Sequence, residues 1–279
     1  MWQLNGIPKI LFVYWGEHRL SWLRYLTIAT FQKFNPDWKI KFYYPKILQI
    51  DNKPWDISKH TTKLECADWF GAVSKIPNTE CVAFDFESIG FKNDLPEVYK
   101  SDIIRLYLLS HYGGIWSDMD IIYFKPMELS YLNNKNNEEI DTIICHNGRH
   151  YSIGFLGSNP GNLFYNDLFN KSKIHAAEHD YQKFGTVLWV SNYQNEQAIK
   201  EAFPFLNIAN IKMELVYPYR FNQNTLILKI DEQCLDQDTI GLHWFAGHPD
   251  ATEWENKLTF DNYLQYHTTI ANTIRRALC

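Results

Sequence analysis

The stretch SDIIRLYLLSHYGGIWSDMDIIYFKPM, residues Ser101 to Met127, decides how the rest of the chain is read. Its first part carries Ile103, Ile104, Leu106, Tyr107, Leu108 and Leu109, apolar on nearly every side, the pattern of a helix buried all round. Asp102 and Arg105 interrupt it and, three residues apart, share one helical face. Charges inside an apolar element need partners. Gly113-Gly114 is a helix stop. The following Ile115 to Phe124 is β-prone apart from Asp118 and Asp120, which strand periodicity projects to one face.

Two carboxylates side by side on an apolar strand repel, and burying even one is costly, so a cation between them is expected. Hard oxygen ligands favour magnesium, manganese or calcium over zinc. A magnesium-like ion keeps room for the phosphate oxygens of a substrate, so Asp118-Met119-Asp120 reads as a metal and diphosphate clamp. Asp-x-Asp alone is a weak signal that also suits a solvated turn. The turn reading leaves Asp102, Arg105 and the double glycine without a role.

The string S-D-I-I-R-x-x-x-L-x-x-x-G-G-I-W-x-D-M-D resembles the signature of the retaining glycosyltransferases that carry a sugar-binding DXD motif. These include initiating mannosyltransferases of the fungal Golgi, bacterial capsule-sugar transferases and, more distantly, the glucosylating domains of large bacterial toxins. Weaker resemblance runs from Ile7 to about Pro45 and recurs near His243. The resemblance implies an α/β fold of GT-A type, a Rossmann-like mixed sheet flanked by helices in a single catalytic domain over 1–279. A nucleotide-sugar half of about 1–130 and an acceptor half of about 131–279 are expected.

The same resemblance implies roles for named residues. Asp120 and His243 would bind the metal directly, with Asp118 either a ligand or a bridge between metal, ribose and sugar. Relatives bring a C-terminal histidine back in an H-x-x-G or H-x-x-x-S-W setting. This chain departs from both with His243-Trp244-Phe245-Ala246-Gly247 and a later Trp254, so His243 is the expected ligand and His248 the reserve. A neutral imidazole suits manganese more readily than magnesium. Arg105 would grip sugar hydroxyl or phosphate oxygens through its planar fork. Asp102 would accept hydrogen bonds from sugar hydroxyls, and Trp116 would pack beside ribose or base, with Ser117 next to it. Val13, Tyr14 and Trp15, ending the first strand, would line the base pocket. The catalytic set is thus Asp102, Arg105 and Asp118. The cofactors are Mn2+ or Mg2+, with a nucleotide-diphosphate sugar as donor, UDP-linked sugars favoured over GDP-mannose. The acceptor is a glycan or lipid-linked molecule, and the configuration is retained, with the departing phosphate as base.

Composition agrees. A chain of 279 residues can bury a substantial core, and hydrophobic residues are 46% and aromatics 16% of it. The net charge of −5 speaks against a nucleic-acid footprint, which also disfavours a nucleic-acid enzyme with paired carboxylates. Cys66, Cys81, Cys145, Cys234 and Cys279 are odd in number, without CxxC spacing, which suits a reducing compartment and gives no zinc site. The opening Met1 to Lys9 reads as neither signal peptide nor anchor, and no apolar run approaches the roughly 20 residues a bilayer needs, so a cytoplasmic setting without a transmembrane segment is expected. Arg275 and Arg276 leave peripheral contact with a phosphate-bearing lipid open beside a plain dipole-complementing role.

In chain order, Ile10 to Trp15 is a central parallel strand, Ser21 caps a helix that Asn35-Pro36 stops, and Lys39 to Tyr44 is a second strand, together a βαβ unit without G-x-G-x-x-G. Lys53-Pro54 and Lys75 to Asn78 read as turns, Thr61 to Val73 as helix, Cys81 to Phe86 as strand or buried turn, and Asp85 with Glu87 as a solvated acidic turn. Asn133 to Glu139 is a surface loop. Thr142 to Cys145 and Ile153 to Gly157 are strands, and Asn162 to Lys171 is a helix. In relatives, a segment resembling Gly154 to Gly161 borders donor sugar and acceptor, and Phe184-Gly185-Thr186 stands where they often show Thr-Gly-Pro. His175 to His179 (HAAEH) breaks the zinc pattern H-E-x-x-H and reads as an exposed helix face. Leu215 to Tyr219 and Leu226 to Leu228 are expected strands, Ile240 to His243 ends an apolar strand, and 259–279 forms a terminal helix. A DxDx[TV] phosphatase is disfavoured, since Ile122 stands where Thr or Val is wanted. The alternative to the enzyme is a catalytically silent nucleotide-sugar or carbohydrate-binding protein.

Overall fold

The structure is a computed structural model, and it describes residues 6–47, 65–128, 139–174, 184–231 and 235–279. Strand β1 (Ile10–Tyr14) is apolar throughout because both of its faces are covered. Phe12 and Tyr14 enter the core on one side, while Leu11, Val13 and the adjoining Trp15 enter the core on the other. A strand of that kind has to be central. Ser21 caps helix α1 (Trp22–Phe34), its hydroxyl accepting the Arg24 N–H at 3.3 Å, and Asn35 closes the helix. Strand β2 (Lys39–Pro45) then runs parallel to β1, completing the expected βαβ unit.

The chain continues through the single turn α2 (Phe70–Val73) to β3 (Thr79–Phe84), α3 (Glu97–His111), β4 (Gly114–Ser117), β5 (Ile121–Tyr123), β6 (Thr142–Ile144), β7 (Phe155–Ser158) and α4 (Leu163–Ile174). It ends with α5 (Thr186–Asn192), α6 (Glu196–Ala202), β8 (Ile208–Asn210), α7 (Asn224–Lys229), β9 (Gly241–His243), α8 (Pro249–Lys257) and α9 (Thr269–Leu278). Seven strands form one sheet in the order β3-β2-β1-β4-β7-β6-β8, and β5 pairs with β9 in a second, two-stranded sheet. Strands β3, β2, β1 and β4 are parallel and β7 is antiparallel to both its neighbours, the mixed Rossmann-like sheet that the sequence calls for. Strands β1 and β4 are neighbours although α1, β2, β3 and α3 lie between them in sequence. Crevices for ligands form at such switch points, outside the carboxyl ends of the strands.

The double glycine works at this junction. Gly113 and Gly114 have φ of 65° and 128°, which lets the chain leave α3 and enter β4 at once. A Cβ on Gly113 would lie 2.4 Å from Pro160 N, and one on Gly114 would lie 2.7 Å from Ile10 O. A third core packs the first turns of α1 and the outer face of the small sheet against α7, α8 and α9. Among the described residues, no helix is long and apolar enough to cross a membrane.

Several expectations are corrected. Residues 115–124 are not one strand. The chain leaves the main sheet after Ser117, turns through Asp118 to Asp120 and joins the small sheet at Ile121. Strand periodicity therefore does not explain how the two aspartates come together. Leu226 to Leu228 lie in helix α7, since three apolar residues do not define a period. Leu215 to Tyr219 form no strand, whereas β8 was not anticipated. Of the expected Thr61 to Val73 helix, residues 61–64 lie outside the described residues and 65–73 are helical only over Phe70–Val73, and the terminal helix starts at Thr269. Asp85 caps a one-turn 3-10 segment and pairs with Lys46 at 3.3 Å, the solvated acidic turn expected. The Lys53-Pro54 turn, residues 133–138, the HAAEH stretch and Cys234 lie outside the described residues. Arg275 donates to the carbonyls of Leu264 and Tyr266, and Arg276 stacks over Phe124 at 4.5 Å, so both contact the protein itself.

Because Gly113 combines a left-handed backbone with a backbone neighbour at 2.4 Å, Gly113→Ala is expected to destabilise the fold by more than about 1 kcal/mol in denaturant titration. An unchanged midpoint would show that the helix-to-strand junction tolerates a side chain.

Candidate active site

The turn from Asp118 to Asp120 sits where the two sheets part, so its carboxylates reach the open end of β1 and β4. Each is held differently. Asp118 Oδ1 accepts from Trp116 Nε1 at 2.8 Å and lies 3.3 Å from Arg105 Nη2. The Asp118 backbone is pinned by its N–H to Gly154 O at 2.7 Å. Asp120 is buried, and its Oδ2 accepts the Ala246 N–H at 2.9 Å. Its Oδ1 faces His243 Nε2 at 3.0 Å and has no other partner among the described residues. Burial pushes the Asp120 carboxyl up, but His243, Arg24 and the Ala246 N–H together hold it below the usual carboxylate range.

The face shared by Asp102 and Arg105 turns toward this turn. Arg105 Nη2 lies 2.9 Å from Asp102 Oδ1, so one guanidinium ties the helix carboxylate to the Asp118 carboxylate. It also donates to Ile153 O at 2.6 Å and sits 5.0 Å from the Trp116 ring centroid. Burial raises the Asp102 carboxyl to about 6 against the opposing pull of Arg105, with Asp118 adding to the rise. Arg105 is thus engaged on several sides by the protein, and what it presents to the cleft is the edge that remains.

A cleft of about 250 Å3 opens over these groups and is lined by Tyr14, Arg24, Asp102, Arg105, Asp118, Asp120 and His243, and also by Gly185, Thr186, Phe221 and Phe245. Of the three strand-end residues expected at a base pocket, only Tyr14 lines it. Val13 and Trp15 point into the opposite core, as alternation along a strand demands. Trp116 and Ser117 are buried beneath the turn rather than exposed beside it, Trp116 bonding Asp118 and Ser117 accepting from Tyr123 at 2.8 Å. His248 is not with the ligands. Its ring caps α8, accepting the Asp250 N–H at 3.2 Å.

Other groups at the site were not singled out from the sequence. Arg24 Nε bonds Glu255 Oε1 at 2.6 Å, and its guanidinium lies 4.1 Å from the Trp15 ring, so a buried ion pair backs the wall nearest Asp120. The available signal was a cation in the first turn of a helix, where the dipole disfavours it and a tertiary reason is needed. Glu97 accepts from Tyr14 Oη at 2.6 Å and from the fully buried Lys100 at 2.7 Å. A Cβ on Gly16 would lie 1.7 Å from Glu97 Oε2, and one on Gly185 would lie 2.9 Å from Asp102 Oδ2, so glycines make room for both carboxylates. Glu17 is half-buried, and burial, offset by Arg24 and reinforced by Glu255 and Glu97, raises its carboxyl to about 7.

Asp118, Asp120 and His243 can each offer one ligand atom, all within 4.8 Å of one another. Two carboxylates, one imidazole and a buried carboxylate oxygen that only the imidazole faces make a donor set that fits a divalent cation. Residues 27–146, which carry Asp102, Arg105, Asp118 and Asp120, match the family model described as the glycosyltransferase sugar-binding region containing DXD motif. That match spans 120 of the 279 residues, and over it this chain is similar to glycosyltransferases of that family. His243 lies outside the matched region and joins the motif only through the pairing of β5 with β9. No curated protein matches the chain. Similar solved structures include PaToxG glycosyltransferase, 16% identical, covering 73% of this chain and 71% of that one with a TM-score of 0.48. The galactosyltransferase LgtC, solved with donor and acceptor sugar analogues, is 13% identical over 96% of this chain and 95% of its own, with a TM-score of 0.41. GlyE of Streptococcus pneumoniae TIGR4 is 11% identical over 98% of this chain and 61% of its own, with a TM-score of 0.47.

Two outcomes are expected. Arg105→Lys keeps the charge but not the fork that reaches Asp102, Asp118 and Ile153 together, so turnover should fall roughly a hundredfold or more while the thermal midpoint moves little. Normal turnover would make the guanidinium dispensable. The raised carboxyl of Glu17 favours the folded state at low pH, and this contribution is lost as pH rises from its unfolded value toward 7. Glu17→Gln should therefore gain stability on wild type at pH 8, with the difference shrinking by pH 5. A pH-independent difference would contradict the burial.

Proposed function

We propose that this chain is a glycosyltransferase that moves a hexose from a nucleotide-diphosphate sugar, a UDP-sugar in preference to GDP-mannose, to a glycan or lipid-linked acceptor. The observation that carries the proposal is the convergence of Asp118, Asp120 and His243 within 4.8 Å at the mouth of the cleft. These three residues would hold manganese or magnesium. Such an ion supplies positive charge to the phosphates that leave with the nucleotide.

The chain's own residues do the rest. Arg105 fixes the orientation of Asp118 and offers its remaining edge to sugar or phosphate oxygens. Asp102, ionised at neutral pH with its carboxyl at about 6, accepts hydrogen bonds from sugar hydroxyls. Tyr14, oriented by Glu97, lines the donor end of the cleft. Gly185 and Thr186 with Phe221 and Phe245 form the wall that the acceptor approaches, so donor contacts come mainly from about residues 1–130 and acceptor contacts from about 131–279. The anomeric configuration is retained, with the departing phosphate taking the acceptor's proton on the face of attack.

Asp120→Asn preserves shape but removes the charge facing His243. Incubated with Mn2+ and a panel of UDP-hexoses and GDP-mannose, wild type is expected to release nucleoside diphosphate and the variant to release none above background, with both proteins folded. Near-normal release by the variant would remove Asp120 from the metal site, and no release by wild type from any donor would favour a silent binding protein.

A further inference from the structure

Tyr217 takes no part in the function proposed above, yet its ring lies 4.9 Å from the His243 ring and is 5% exposed. Its hydroxyl is buried and has no hydrogen-bond partner among the described residues. A buried tyrosine hydroxyl ordinarily finds a partner, and leaving one unpaired weakens the fold, so an unpaired one in a native site calls for a reason.

The surroundings supply one. A Cβ on Gly154 would lie 2.6 Å from Asp118 Oδ2 and 2.9 Å from Tyr217 Oη, so these two oxygens flank the same glycine, and its missing side chain keeps the space between them open. Asp118 Oδ1 already takes hydrogen from Trp116 and faces Arg105, which leaves Oδ2 as the oxygen turned toward the phenol. The carboxylate is anchored through one oxygen and is 29% exposed, so it can pivot about that anchor. Carboxylates that ligate a metal are commonly hydrogen-bonded by an outer partner, which sets their orientation.

We propose that Tyr217 is a positioning residue of the cation site, its hydroxyl donating to Asp118 Oδ2 once a divalent ion fixes that carboxylate. The inference rests on the metal site assigned above and adds to it a residue from the segment between β8 and α7.

The test is Tyr217→Phe, which removes one oxygen and keeps the ring. Mn2+ binding is followed by loss of the free Mn2+ paramagnetic resonance signal, with Mn2+ alone and with Mn2+ plus UDP, and the thermal midpoint is measured in chelator. The expected result is a midpoint in chelator equal to or above wild type, together with Mn2+ affinity about tenfold to a hundredfold weaker in both arms. A lower midpoint with unchanged Mn2+ affinity would make Tyr217 a purely structural residue and overturn the proposal. A loss confined to the UDP arm would assign the hydroxyl to a phosphate oxygen and overturn its partnership with Asp118. Wild type that takes up no Mn2+ in either arm would instead overturn the metal site itself, and this inference with it.

Discussion

Three carboxylates, Asp102, Asp118 and Asp120, stand at the end of an apolar sheet, and the site depends on how their charge is offset. Like charges at such spacing drive protonation or separation unless cations intervene. Arg105 intervenes between Asp102 and Asp118, at 2.9 Å and 3.3 Å, and Arg24 acts on Asp120 from the opposite wall. These two arginines are themselves buried and spoken for, Arg24 chiefly by Glu255. Removing one partner from such a group would leave an uncompensated charge, a heavier loss than the pair contributes when intact. The buried Asp120 oxygen that faces His243 at 3.0 Å has no further hydrogen-bond partner among the described residues, and a divalent cation fits there between Asp118, Asp120 and His243.

Space is managed as closely as charge. Gly16, Gly154 and Gly185 come from three separate segments, and each stands where a side chain would strike the carboxylate of Glu97, Asp118 or Asp102. None of the three has a left-handed backbone, so conformational freedom is not the reason for glycine at these positions. The reason is proximity, since each of these carboxylates lies against bare backbone.

Much of this was legible in the sequence because it is local. The continuous apolar run of β1, the cap at Ser21, the double glycine, and the face shared by Asp102 and Arg105 depend on neighbours within a turn or two, and they form as read. His243 was legible only through the resemblance to transferases that bring back a C-terminal histidine, and the pairing of β5 with β9 brings it across. What was not legible is long-range. Arg24 finds Glu255 across a separation of 231 residues, and its place in the first turn of α1 signals only that some tertiary partner is needed, not which one. The alternation that sends Tyr14 to the cleft and Val13 and Trp15 to the other core was readable in principle, but which face met the cleft depended on where β4 and α3 packed. The period-two reading of Asp118 and Asp120 reached the right proximity for the wrong reason, because a change of sheet, not a pleat, aligns them.

The measurement that bears most directly on the central claim is the anomalous scattering of manganese in crystals grown with Mn2+ and UDP. A single strong peak within bonding distance of Asp118, Asp120 and His243, with the diphosphate against it, is the predicted result. A peak elsewhere, or ordered UDP in the cleft with no metal beside those three side chains, would contradict it.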